Sequence, residues 1–109
     1  MFATLKYRKA VDEFGTRRYY NDAGQLHRED GPAVENTIFK KWHQNGQLHR
    51  KDGPAIERMD GNNYWYQNGS LHRIGGPAIA LAHGETRWCL YGVEYSKYSY
   101  EQQLATLGL

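Results

Sequence analysis

A nine-residue motif occurs three times in this chain of 109 residues, and it constrains the fold more than any other feature. The copies begin at Gln25, Gln47 and Ser70 and share the pattern x-Leu-His-Arg-x-x-Gly-Pro-Ala. Aromatic residues lead the units at a constant spacing of 23 residues: Tyr19, Trp42, Trp65 and Trp88. A repeat of this period indicates an array of small units, each of which buries its faces against its neighbours.

Each unit carries a turn signal between its leading aromatic residue and its motif. Asn45-Gly46 and Asn68-Gly69 are typical of two-residue hairpin loops, because both residues tolerate positive φ. Asp22-Ala23-Gly24 forms a three-residue loop, and the fourth turn falls at 91–92. In this register the leading aromatic residue of each of the first three units pairs with the motif histidine, as Tyr19 with His27, Trp42 with His49 and Trp65 with His72. Trp88 pairs with Tyr95.

These signals predict an all-β, mainly antiparallel fold: an elongated meander of repeated short β-hairpins with a short C-terminal capping helix. Ser99, with Gln102 three residues later, fits a helix N-cap, and Gly108 fits the helix end. We expect a single repeat domain, 1–109, with a degraded leading half-unit at 7–15, units one to four at 16–38, 39–61, 62–84 and 85–96, and a helix from about 99 to 107.

Composition excludes several classes of protein. Leu, Ile, Val and Phe number only 19 residues, whereas Tyr, Trp and Phe number 15, so we expect a core that is more aromatic than aliphatic. The single cysteine excludes an internal disulfide and a four-cysteine zinc site. No apolar run approaches the roughly 20 residues of a membrane helix. The N-terminal Met-Phe-Ala-Thr-Leu-Lys predicts no signal peptide, so we expect a soluble cytoplasmic protein that does not engage a membrane.

Side chains of the predicted hairpins alternate between two faces. One face carries the aromatic–histidine pairs, and unit four, where this face is apolar, favours it as the more buried one. The other face combines basic and planar side chains, a composition that suits acidic protein surfaces or nucleic acid. Its candidate partner-binding residues are Arg73, Tyr64, Tyr66, Arg18, Tyr20, Lys41 and Arg87.

The repeated polar residues have a structural explanation that is stronger than a catalytic one. A catalytic or zinc site needs groups that converge on one point, whereas the motif histidines recur in a row. Asp30 and Asp52 are expected to accept from amides of their Gly-Pro turns or to pair with the preceding arginine. We therefore predict no enzyme, no metal and no cofactor. The residues assigned to the structural repeat are Tyr19, Trp42, Trp65, Trp88, His27, His49, His72, Asp30, Asp52, Gly31, Gly53 and Gly76.

Unit three departs from the pattern next to Arg73. Ile74-Gly75 replaces the x-Asp step, so this arginine lacks the acidic neighbour of the first two units. One interpretation is that all five donors of its guanidinium are unclaimed and that, with Tyr64 and Tyr66, it forms a planar cationic contact for a partner. The other is a solvated arginine on a decayed repeat.

Over residues 16–96 the repeats resemble the MORN-type family of short β-hairpin repeats. The resemblance is closest to the variety Trp-Tyr-x-Asn-Gly-x-x-His-Arg-x-Asp-Gly-Pro-Ala of bacteriophages and large DNA viruses. Unit four keeps Trp88 and Gly92 but has lost His-Arg and Gly-Pro-Ala. The resemblance implies a meander of antiparallel strands, a binding function without enzymatic activity, and an accessory protein that acts in the cytoplasm of the host cell.

The first functional hypothesis is therefore a phage-encoded, non-catalytic binding protein. It would inhibit a host protein or complex, such as a bacterial defence complex of the CRISPR type, through the basic and aromatic face. One alternative is that the same face binds nucleic acid or nucleotides. Another is a structural assembly factor that oligomerises through sheet edges. The sequence leaves the partner and the oligomeric state open.

Overall fold

The computed structural model describes residues 7–109; the N-terminal segment, for which the sequence predicts no signal peptide, lies outside the described residues. The protein is an antiparallel β structure with one C-terminal helix, α1, at Lys97–Leu107, which confirms the predicted fold class. The strands are β1 Arg8–Val11, β2 Arg17–Tyr20, β3 Val34–Glu35, β4 Phe39–Lys41, β5 His43–Gln44, β6 Gln47–Leu48, β7 Ile56–Arg58, β8 Asn63–Tyr64, β9 Tyr66–Gln67, β10 Ser70–Leu71, β11 Ile79–Ala80, β12 Thr86–Leu90 and β13 Val93–Tyr95.

The strands divide into one long sheet and two small hairpins rather than one continuous meander. The long sheet has nine strands in the order β1-β2-β3-β4-β7-β8-β11-β12-β13, while β5-β6 and β9-β10 pair separately. The chain changes partners at the leading tryptophans. Trp42 donates its amide to the carbonyl of Ala55, which immediately precedes β7 of the long sheet (2.8 Å), and its carbonyl accepts from the amide of His49 (3.0 Å). The leading tryptophan therefore connects the long sheet with the small hairpin of its own unit.

The predicted hairpin turns are present. Asn45, Asn68 and Tyr91 have φ of 49°, 49° and 51°, and the glycine after each has φ between 81° and 83°. Positive φ at both central positions defines the turn type whose twist suits a two-residue hairpin. The loop at 22–24 ends in Gly24, with φ of 79°.

The predicted register is confirmed in the hairpins. His43 pairs with Leu48, Tyr66 with Leu71 and Trp88 with Tyr95. In unit one the longer loop is absorbed as expected, because Tyr20 bridges Leu26 and the amide of His27 donates to Tyr19.

The predicted aromatic core and the predicted division into a buried and an exposed face are both wrong. The alanines of the Gly-Pro-Ala steps are fully buried, whereas the leading aromatic residues are half-buried. His43 and Cys89, which lie on the face expected to be exposed, are buried. The molecule measures 54 × 31 × 17 Å, so it is elongated along the array. Burial arises instead between neighbouring hairpins, where side chains of either face can lie.

The N-cap of helix α1 lies three residues earlier than predicted, and the helix begins at Lys97. Ser96, not Ser99, is the N-cap: its backbone is extended and its side chain accepts from the amide of Ser99. Gly108 ends the helix in the left-handed conformation, as predicted (φ 73°). Tyr100 is the helix residue that is fully buried, and its ring lies 5.1 Å from that of Trp88.

Candidate binding grooves

Each motif arginine lies over the leading aromatic ring of its own unit. The guanidinium carbon is 4.1 Å from the ring centroid for Arg28 on Tyr19, 3.8 Å for Arg50 on Trp42 and 3.9 Å for Arg73 on Trp65. A cation over an aromatic face is attracted by the ring quadrupole, and the contribution is about 0.5–2 kcal/mol depending on desolvation. The arginine is therefore a packing element of the repeat.

The motif glycines make room for these arginines. A Cβ atom would lie 2.9 Å from the guanidinium carbon at Gly31 and at Gly53, and 2.6 Å from it at Gly76. None of the three has positive φ. The structural role predicted for these positions therefore has a specific cause: each guanidinium is held between a glycine and an aromatic ring.

Carboxylates surround the first two arginines. Arg50 donates from Nε to Asp52 (3.1 Å) and from a terminal nitrogen to Glu57 (2.8 Å) and to the carbonyl of Pro54 (3.1 Å). Arg28 makes the equivalent bonds to Asp30, Glu35 and Pro32. The sequence predicts two alternative roles for Asp30 and Asp52. In the structure, both residues pair with the preceding arginine.

Arg73 has the same stacking position but no carboxylate. It donates to the carbonyl of Pro77 (3.2 Å), and within residues 7–109 it forms no ion pair. Gly75 and Ala80 stand where units one and two carry the two acids. The expectation that all five guanidinium donors of Arg73 are unclaimed is wrong, because one of them bonds the carbonyl of Pro77. The planar guanidinium also covers the ring of Trp65.

The motif histidines connect consecutive units. Nδ1 of His27, His49 and His72 accepts the backbone amide of the turn residue of the following unit, at 2.9, 3.0 and 2.9 Å respectively. An accepting Nδ1 requires that this nitrogen be unprotonated. Burial lowers the pKa of His72 below its ordinary value, which favours the same neutral form. These three equivalent bonds join each unit to the next one, in addition to the pairing of each histidine with the leading aromatic residue of its own unit that the sequence predicts.

Two open grooves lie between the motif loops, and we call them groove one and groove two. Groove one, about 900 Å³, lies between the loops of units one and two over Trp42. Groove two, about 550 Å³, lies between the loops of units two and three over Trp65. Three cationic and three acidic side chains line groove one: Arg28, Arg50, Lys51, Glu29, Asp30 and Asp52. Three cationic side chains and one acidic one line groove two: Arg50, Lys51, Arg73 and Asp52.

The structure does not assemble the predicted patch of Arg73, Tyr64 and Tyr66. Tyr64 pairs with Ile56 and Ile79 in the long sheet, whereas Arg73 lies over the ring of Trp65. The hairpin strands are only two residues long, so the alternation ends before the arginine. The amide of Arg73 bonds instead to Cys89 of the next unit.

The other predicted partner-binding residues are engaged within the chain. Arg18 donates to Asp12 (2.8 Å) and thereby lowers the pKa of that carboxyl, and Arg87 pairs with Glu85 (3.3 Å) and Glu94 (3.7 Å). The Lys41 ammonium lies 4.4 Å from the centroid of the Phe39 ring. Tyr20 and Tyr66 are half-buried, and burial raises the pKa of Tyr66. None of these seven residues except Arg73 lines either groove.

Sequence reasoning missed Lys51 and Tyr100. Lys51 occupies the variable position of the motif and lines both grooves. The hydroxyl of Tyr100 accepts the amide of Gly75 (3.0 Å) and donates to the carbonyl of Arg73. The signal for Lys51 was present, since a variable position inside a repeated loop is solvent-exposed; the contact of Tyr100 with a loop 25 residues away carries no sequence signal.

Comparison with known protein families, curated proteins and solved structures gave no match to this chain. In the part of the chain that the structure describes, no group of three or more His, Cys, Asp or Glu side chains is placed to hold a metal ion. Over the same residues, no helix is long and apolar enough to cross a membrane. Burial raises the pKa of the Cys89 thiol, which disfavours the reactive thiolate.

Proposed function

We propose that this protein is a non-catalytic binding protein that holds a protein surface against grooves one and two. The observation that carries the proposal is their continuity: Arg50, Lys51 and Asp52 form the wall between the grooves and line both of them. A partner that fills one groove is thereby placed over the other. Units one to three thus offer one extended surface rather than separate pockets.

The lining of the grooves favours a protein partner over a small molecule. Small-molecule sites are usually enclosed and mostly apolar. These grooves are open, contain charges of both signs and have a tryptophan at the floor. Tryptophan and arginine are the residues most enriched at the energetic centres of protein interfaces.

The array is also held rigid, which reduces the entropy cost of binding. Each unit is fixed to the next by the histidine bond and by the amide of the turn glycine, as from Gly46 to Leu26 (2.8 Å) and from Gly69 to Leu48 (2.9 Å). The groove walls are further held by the arginine stacks and their ion pairs. A surface with this support is preorganised to bind a partner.

For the partner, we propose a host protein of an infected bacterium, for example a component of a defence complex that the binding inhibits. The support for this step is the resemblance of the repeats to those of bacteriophage proteins. It fits a protein that acts in the cytoplasm of the host by covering a functional surface.

The test uses charge reversal of Lys51, which is exposed and bears on both grooves. Immobilised wild-type protein and the Lys51→Glu variant are compared for retention of proteins from a bacterial lysate, identified by mass spectrometry. The matched control is Arg8→Glu, since Arg8 is also an exposed cation, lies on β1 and lines neither groove. We expect a protein that wild type and Arg8→Glu retain and that Lys51→Glu loses. Equal retention by all three proteins would contradict the proposed surface.

A second candidate function is nucleic-acid binding, which the excess of cationic side chains in groove two favours. A positively charged groove that follows the phosphate backbone is a common way to bind single strands. Titration with a single-stranded oligonucleotide at two salt concentrations separates the two functions. Oligonucleotide affinity that falls steeply as the salt concentration rises, together with loss of oligonucleotide binding in Lys51→Glu, would indicate that the partner is nucleic acid and not a protein.

A further inference from the structure

Unit three has lost its acidic residues at both positions where the first two units neutralise their arginine. Two residues after the arginine, units one and two carry Asp30 and Asp52, and unit three carries Gly75. Seven residues after it, they carry Glu35 and Glu57, and unit three carries Ala80. Decay of a single position would leave one carboxylate in place. Here both are absent, while the arginine and its tryptophan remain.

The surroundings of Arg73 are otherwise intact. Its distance to the ring of Trp65, 3.9 Å, falls between the two equivalent distances in units one and two. Its bond to the proline carbonyl, 3.2 Å, matches the 3.2 and 3.1 Å of the other units. The guanidinium is thus held in the same position with its carboxylate-facing donors left without an acid.

We propose that Arg73 binds a carboxylate of an acidic side chain on the partner protein, in the place that Asp52 and Glu57 occupy around Arg50. This inference rests on the proposed function and specifies what groove two recognises. Units one and two provide the template for the contact, with N–O distances of 2.8 to 3.5 Å between arginine and carboxylate. The partner completes the third unit in trans.

Two neighbours define the chemistry further. Lys51 lines the same groove and adds a second cation for the incoming charge. Ile74 replaces Glu29 and Lys51 of the other loops, lines groove two, and is half exposed, at 51%. The segment recognised is therefore an acidic residue that stands beside an apolar one. A planar fork is suited to a carboxylate, because two parallel N–H donors match its two oxygens.

The C-terminal helix keeps the site available. The amide of Gly75 is bonded to the hydroxyl of Tyr100, and the same hydroxyl donates to the carbonyl of Arg73. Gly75 has φ of 88°, a conformation that aspartate adopts only with strain, so this loop does not readily accept the missing acid. Helix α1 thus holds the motif loop of unit three in a conformation that supplies no carboxylate to the guanidinium of Arg73.

The probe is a hexapeptide of alternating glutamate and leucine, titrated into the full chain labelled with ¹⁵N. The measurement is the chemical shift of the arginine Nε–H groups and of the tryptophan indoles. We expect saturable shifts at Arg73 and Trp65. Arg28 and Arg50 should remain unchanged, because their carboxylates are already in place. The control peptide of alternating glutamine and leucine should give no shifts at Arg73.

The decisive variant is Ala80→Glu, which restores the acid at the position of Glu35 and Glu57 without altering the groove loop. We expect it to pair with Arg73 and to weaken peptide binding about tenfold, because a hydrogen bond to a charged group contributes that much. The converse variant Asp52→Ala/Glu57→Ala removes both acids around Arg50 and should create a second site there. Thermal melting of each variant shows that it is folded.

The outcomes separate this inference from the proposed function. Unweakened binding by Ala80→Glu, or equal shifts at Arg28, Arg50 and Arg73, would overturn the carboxylate site. If the Lys51→Glu variant nevertheless fails to retain a protein that wild type captures from the lysate, the proposed binding surface is supported, and only the recognition of a carboxylate by Arg73 is contradicted. Shifts at Arg73 with inorganic phosphate or an oligonucleotide, and none with the glutamate peptide, would overturn the protein ligand.

Discussion

Units two and three place the same arginine on the same tryptophan but surround it differently. Arg50 is neutralised within its own unit by Asp52 and Glu57, whereas Arg73 has one carbonyl partner and no acid. The stacking geometry is nevertheless the same to within 0.1 Å. The comparison shows that the stack between ring and glycine positions the arginine, and that the carboxylates determine how much of its charge remains available.

The two ends of the array differ in a related way. Unit four has no motif arginine, and the ring of Trp88 is covered instead by Tyr100 and by the Lys97 ammonium, 5.4 Å from the ring centroid. At the other end, the hydroxyl of Tyr7 accepts the amide of Glu29, and its ring meets that of Tyr19 edge-on. The motif loop of unit one is thus bonded by the hydroxyl of Tyr7, and the motif loop of unit three by the hydroxyl of Tyr100. Repeats need such terminal covers because an end unit lacks one neighbour.

The largest effect is expected from removal of the rings, by Trp42→Ala and by Trp65→Ala. Each should lower the free energy of unfolding by about 3 kcal/mol, since large aromatic truncations cost this much where packing is lost. Equal losses in denaturant titrations would show that the stack is independent of the carboxylates. A difference well above 1 kcal/mol would mean that the ion pairs of unit two help to hold the ring.

The next effect concerns the glycines under the arginines. Gly53→Ala and Gly76→Ala should each destabilise the fold by about 2 kcal/mol, because the added methyl group overlaps the guanidinium. Gly76→Ala should cost more, as its Cβ would lie 2.6 Å from the guanidinium carbon rather than 2.9 Å. The control is a double-mutant cycle with Arg50→Ala, in which the cost of Gly53→Ala should largely disappear. An unchanged cost would assign the glycine to the backbone turn instead.

Tyr100→Phe tests the special position of unit three. It removes the hydroxyl between Gly75 and Arg73 and should cost about 1–2 kcal/mol, because both partner groups lose a hydrogen bond. Tyr98→Phe serves as the control, since that side chain is 72% exposed. Equal stability of the two variants in thermal melts would exclude the hydroxyl as the anchor of the cap.

Acidification should weaken the connection between units three and four. Burial lowers the pKa of His72 and of His43, so the folded chain binds fewer protons than the unfolded one. Their contribution to stability is present above the ordinary value of 6.5 and decreases as the pH falls below it. The melting temperature should therefore be lower at pH 5 than at pH 7. His72→Asn retains an acceptor near Nδ1 without titrating and should reduce this difference, whereas His83→Asn, at an exposed site, should not.

The smallest effect is expected for Asp52→Asn. The Asp52 side chain is 87% exposed, and ion pairs in such positions contribute only about 0.2–1 kcal/mol. Glu57→Gln should cost more, because its carboxylate is the less exposed of the two and lies closer to Arg50. The reverse order in thermal melts would show that the loop aspartate, not the strand glutamate, holds the guanidinium in unit two.

Local chemistry made the hairpins predictable. Asn-Gly pairs specify their turn type through φ, and a two-residue turn determines which residues face each other, so Tyr66 opposite Leu71 followed directly. The arrangement of the residues that line the grooves was less predictable. Alternation of faces holds only within a continuous strand, and the chain leaves the hairpin strand before it reaches Arg28, Arg50 and Arg73. The predicted patch therefore combined Tyr64 of the long sheet, Tyr66 of a separate hairpin and an arginine that lies beyond the hairpin strand.

By itself, the sequence determined the period of the array, the turns, the hairpin register and the position of the C-terminal helix to within two residues. These features depend on contacts a few residues apart, where residue type constrains the backbone directly. Only the tertiary structure decided that each arginine covers its tryptophan, that the histidines bond the next unit, and that Tyr100 occupies the loop of unit three. Those contacts join residues from 8 to 27 positions apart, and they form because neighbouring units compete to cover the same half-buried rings and amides.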